Sequence, residues 1–334
     1  MVETRFVSRQ YPLWLFQLEW IQKLRNYICL PNIIAMLCLV GCSTGLVEGT
    51  SHRELLQPWI EITGAQMSVS SGALSTDYVM LQRPAAISVD GNDLYLVDAG
   101  LRRIFRYERL QQTLMPFAVN LPVEAGMCIV SANHSVYITL PSYGKVMHFT
   151  RDGFEFPALV SPGNLVHPIS IAVDERSGNV LVVDGLYNHI VVFNNEGMLL
   201  SVIRPPQVQS ISAIATANGS IYAVDKLARQ IVVLDWDGVV RNSFATDTIS
   251  ESVSIAVTHG NLLFIGDDFN NSVTAYSLHG VKGAVLTRES SRVSAVSDDF
   301  GSVNGLTIEG EMLFVADGLN ARIQALIINP DAIE

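Results

Sequence analysis

Between residues 83 and 328 the chain repeats one arrangement of apolar and polar positions. Each copy has an apolar alternation, a turn with Gly or Asn, a second apolar run ending in Asp, another turn, and a third apolar run. Arg83–Tyr107 and His167–Phe193 are the clearest copies; Glu124–Phe149, Ser210–Leu234, Glu251–Tyr276 and Ser302–Leu326 complete a set of six. Successive copies begin 41, 43, 43, 41 and 51 residues apart. The runs are short and rich in Val, Ile, Leu, Tyr and Phe, which is strand composition. The turns at Asp90-Gly-Asn, Ser177-Gly-Asn, Asn218-Gly-Ser and His259-Gly-Asn use residues that tolerate positive φ. Fourth strands fit between copies at Met198–Ile203 and Val239–Phe244, and no window from 58 to 334 sustains an amphipathic helical period.

Four strands per repeat, a period near 43 and six repeats predict an all-β chain, a six-bladed β-propeller of four-stranded antiparallel blades. The last copy stops after its third strand. Ring closure then needs an N-terminal strand, because an open edge invites aggregation. Trp59–Ile62 and Tyr78–Leu81 are the candidates. The repeats resemble the NHL family, a relative of TolB-like propellers. The matching marks are Pro84 and Pro168 opening first strands, Val97-Asp98, Val183-Asp184 and Val224-Asp225 closing second strands, and Asn188-His-Ile and Asn320-Ala-Arg-Ile opening third strands. Copy 2 departs, with Thr139 in place of Asp.

The N-terminal pattern is different. Lys23 and Arg25 precede an apolar run whose core, Ile33–Gly41, is too short to span a bilayer. Leu39-Val-Gly-Cys42 is similar to the lipobox of bacterial lipoproteins. That resemblance implies a signal peptide over 1–41, lipid attachment at Cys42, a tether over 42–57 and the propeller over 58–334. The stretch before Lys23 is long for a signal, which predicts translation starting near Leu24. Ser43 lacks the Asp that retains lipoproteins at the inner membrane, so the outer membrane is expected in a Gram-negative host.

Charge narrows the partners. The 334 residues carry 21 basic and 32 acidic side chains; loss of 1–41 removes four and two of these and leaves a net charge of −13. With export, that excludes nucleic acid as the main partner. The processed chain would keep Cys42 and Cys128 only, so no internal disulfide is expected.

Candidate chemistry is sparse. One row of the first strands is bulky (Ile87, Cys128, Ile171, Ile214, Ile255, Leu306) and reads as packing between blades. The alternate row is small (Ala86, Met127, Ser170, Ala213, Ser254, Gly305) and reads as lining the central channel. Neither contains an ionisable group apart from the thiol of Cys128, and a hard cation needs several converging oxygens. No metal, cofactor or catalytic set is therefore expected. The alternative, on the likeness to gluconolactonase-like and paraoxonase-like propellers, is a metal-dependent hydrolase. The recurring Asp98, Asp184, Asp225, Asp267 and Asp317 read as ties within each blade. Arg83, Glu124, His167, Glu251 and Asn304 are expected to ring one mouth, with Tyr143, Tyr187 and Phe269 on neighbouring turns. A polar rim with aromatics fits an envelope protein, peptide or glycan partner. The expected function is a non-catalytic binding platform held to the membrane by its lipid.

Overall fold

The computed structural model describes residues 55–68, 74–246, 249, 253–286 and 300–330, all within the compact unit Ser51–Glu334. Their strands form six sheets, five of four strands and one of six. The third blade shows the plan: Pro168–Val173, Val180–Asp184, His189–Phe193 and Leu199–Ile203 lie in chain order from the axis outward. The innermost strands are Pro84–Asp90, Ile129–Ala132, Pro168–Val173, Ile211–Ala217, Val253–Val257 and Val303–Glu309. Each contacts the next and the last contacts the first, so the blades close a six-bladed propeller. The only helical element among the described residues is the 3₁₀ turn Pro141–Tyr143.

The ring closes through Leu56–Ile62, which pairs antiparallel with Arg322–Ile328 from Leu56↔Ile328 to Ile62↔Ile323. The first closure candidate therefore holds. The strand begins inside the span read as a tether, because Leu55 and Leu56 are buried against Phe300 and Val303. The second candidate does something else. Leu74–Met80 forms a hairpin with Gly64–Ser68, and Gln66 and Met67 of that strand lie parallel to Thr113 and Leu114 at the outer edge of the first blade. Gly64 is required there, since a Cβ would sit 2.3 Å from the Val79 carbonyl oxygen.

Packing corrects the reading of the first strands. Ile87 and Val89 pack on Phe314 and Ala316 of the sixth blade, whereas Ala86 packs on Met127 and Ile138 of the second. Ile214 likewise faces the third blade and Ala213 the fifth. Both rows are thus interfaces between blades; neither is reserved for the axis. The blades stand radially, so alternate side chains point to the two neighbours. The small row accommodates close approach of the next first strand: a Cβ on Gly305 would meet Ala86 Cα and Ile87 N at 3.4 Å.

Candidate functional site

The recurring aspartates are ties. Asp184 is fully buried and accepts N–H groups from Val166 (2.5 Å), His167 (2.7 Å), Leu186 (3.0 Å) and Tyr187 (2.9 Å). It fastens the loop entering the blade to the turn after the second strand. Burial alone would raise its pKa, but the four donors outweigh it and hold the carboxyl below its ordinary range. Asp98 takes Gln82, Arg83 and Leu101 N–H groups, Asp225 takes Gln209 and Ser210, and Asp317 takes Gly301 and Ser302. In the second blade Thr139 Oγ1 accepts only Cys128 N–H, at 2.7 Å.

The rim residues start the first strands or lie in the turns beyond the second strands, so they share one face. Arg83 and His167 are exposed, while Glu124 is half-buried with its carboxylate on Ser142 N–H. Tyr143, Tyr187 and Phe269 are exposed, and Lys145 Nζ stands over the Tyr143 ring at 5.8 Å. Asn304 donates to Pro84 O at 3.2 Å. Glu251 and Cys42 lie outside the described residues.

Between these residues the channel is narrow, about 120 Å³. Of the hydroxyls that line it, Ser170 Oγ accepts Ile214 N–H from the next blade (3.1 Å), Ser212 donates to Val224 O within its own blade (3.5 Å), and Ser254 Oγ is buried without a hydrogen-bond partner. At its lip the Ser302 hydroxyl contacts Asp268 Oδ1 and Asn304 Oδ1. One carboxylate and two neutral oxygens fall short of the six to eight a calcium ion takes. That set does not fit a divalent centre, and the described residues hold no cluster of three His, Cys, Asp or Glu ligands. Burial pushes the Cys128 thiol up to about 11, with a hydrogen bond involving Thr139 opposing it. His189 is buried, its Nε2 2.6 Å from Asn164 O.

Two features go beyond the sequence reading, which named only Phe269 of the second. The larger cavity, about 580 Å³, opens at the opposite mouth, where the first strands end. Val89, Val257 and Ile308 line it together with Asp90, Glu175, Glu309 and Glu311. The second feature is a crown of apolar turn tips on the rim face. The turns between second and third strands have four residues in every blade, from Asp98↔Arg103 to Asp317↔Arg322. The fourth is always left-handed: Arg102, Gly144, Asn188, Arg229, Asn271 and Ala321, with φ of 50–59°. The second is Leu186, Leu227, Phe269 and Leu319 in four blades, between 62% and 83% exposed. A large apolar residue two places after Asp184, Asp225, Asp267 and Asp317, though not after Asp98, was the available signal.

No family model matches the chain, and no curated protein matches it. Solved structures do. A streptogramin B lyase aligns with 82% of this chain and 100% of its own at 12% identity and a TM-score of 0.57. A virginiamycin B lyase from Staphylococcus aureus aligns over 82% and 99% at 13% identity and 0.54. A protein of unknown function from Bacteroides thetaiotaomicron aligns over 81% and 77% at 11% identity and 0.59. At such identities the likeness is one of fold alone.

Proposed function

We propose that this propeller is a non-catalytic binding platform of the bacterial cell envelope, exported and lipid-anchored through Cys42, that carries a protein, peptide or glycan partner. The outer membrane is its place if the host is Gram-negative, and its repeats are of the NHL type. The observation that carries the reading is the wide cavity, whose apolar floor meets carboxylates at the mouth. Such a mixed concave surface suits a bound partner.

The test is crosslinking in intact cells with variants at each mouth. Asp90→Asn, Glu175→Gln and Glu311→Gln together abolish the partner adduct while the thermal midpoint is kept. Arg83, Glu124 and Glu251, changed together, report the narrow mouth. Metal-dependent turnover of a lactone or ester by the purified protein would overturn the reading.

A further inference from the structure

The crown is regular in a way that packing within a blade does not require. Its four tips are the second residues of turns of identical length, set between strands in identical register. The repeat of the ring therefore holds Leu186, Leu227, Phe269 and Leu319 at a common height around one face. Tyr143 and Tyr187, also exposed, stand on the same set of turns. Large side chains held out of the structure lose contact with apolar neighbours, and a cluster of them marks a contact surface.

The cations on this face point the same way. Arg83, Arg102 and Arg229 are exposed and Lys226 is half-buried; none enters an ion pair among the described residues. Lys226 and Arg229 stand on the same turn as Leu227. On the opposite side Arg106 is engaged with Asp93, Glu108 and Asp152, Arg109 with Glu309, and Arg151 with Asp93, and of the described cations there Arg176 is exposed and outside any ion pair.

We infer that the crown docks on a phospholipid bilayer surface. A ring of tips at one height matches a surface that is flat and laterally deformable, where a protein partner would have to offer a separate pocket for each tip. Leu, Phe and Tyr enter the boundary between headgroups and acyl chains, and the free guanidinium and ammonium groups meet lipid phosphates. Docking leaves the 580 Å³ cavity facing away from the membrane, open to the partner. The chain enters the ring at Leu56, on the cavity side. Thirteen residues separate it from Cys42, and an extended segment of that length reaches about 45 Å, more than the roughly 20 Å height of a six-residue strand. A lipid on Cys42 and the crown can then hold one membrane together, the two-signal arrangement that makes anchoring stable.

The experiment places a tryptophan on each face of the full chain reconstituted in vesicles of phosphatidylglycerol and phosphatidylethanolamine. Phe269→Trp reports the crown and His259→Trp the opposite mouth; the native tryptophans are common to both and cancel. With acyl-chain-brominated lipid, the residue 269 reporter shifts to the blue and loses most of its emission, while the residue 259 reporter does not respond. Adding Leu186→Ser, Leu227→Ser and Leu319→Ser removes the quenching at 269 without lowering the thermal midpoint. Quenching at both positions, at neither, or at 269 despite the three serines overturns the inference. So does a blue shift at 269 that needs no lipid and grows with protein concentration, which would mean that the crown meets another copy. These results leave the platform reading untouched, since the adduct depends on the carboxylates of the other mouth.

Discussion

At the residue scale the aspartate ties carry the most weight per side chain. A buried donor left without its acceptor costs about 1–3 kcal/mol, and Asp184 serves four. Asp184→Asn keeps the volume but turns an amide group toward two of the donors, so it should cost about 2–4 kcal/mol at pH 7. The sign with pH follows from the depressed pKa. Unfolded, the carboxyl titrates near about 4; folded, it titrates lower. Its contribution is therefore complete above pH 4 and is lost as pH falls through the folded value. Urea unfolding of both chains at pH 7 and pH 3 should show a gap that narrows in acid. A gap that widens would mean the carboxylate is not what the donors need. Thr139 gives a natural comparison, with a single N–H accepted where Asp184 takes four.

At the element scale, the repeated strands were legible because burial in a radial blade imposes a period of two on every run. Leu199–Ile203 and Val240–Ala245 fall within a residue of the predicted fourth strands. The hairpin Gly64–Met80 was not legible, since its place is set by a parallel contact with Thr113 and Leu114 that no local pattern encodes. The small row of first strands was misassigned for a related reason: alternation tells that two faces differ, not what each one meets. Closure by Leu56–Ile62 makes a prediction about the whole ring. Leu56 is 1% exposed, so Leu56→Ala should cost about 2–5 kcal/mol. Removing the strand uncovers the edge Arg322–Ile328 and should produce concentration-dependent aggregation in light scattering. A monodisperse chain lacking Leu56–Ile62 would show that the sixth blade stands with three strands.

At the scale of the molecule, charge is spread unevenly over the two mouths. The cavity face was illegible in the sequence because its acidic residues take different places in the turns from blade to blade, two of which are longer than the other four, so no common position advertises it. Its carboxylates are under-neutralised. Arg109 is spent on Glu309 at 2.6 Å, and Glu175 has only His259, at 3.2 Å and exposed. Asp90 and Glu311 have no cation partner among the described residues. Like charges around one opening repel within a Debye length of about 10 Å at 0.1 M salt, and added salt screens them. The thermal midpoint should therefore rise by a few degrees between 20 mM and 500 mM NaCl, conditions set by that length. Exposed ion pairs elsewhere weaken in the same range, but each contributes little. The Asp90→Asn, Glu311→Gln chain should start with a higher midpoint at low salt and respond less. If instead the midpoint falls with salt in both chains, attraction dominates the molecule's electrostatics, and the cavity mouth is not the repulsive centre from which a cationic partner group would draw its affinity.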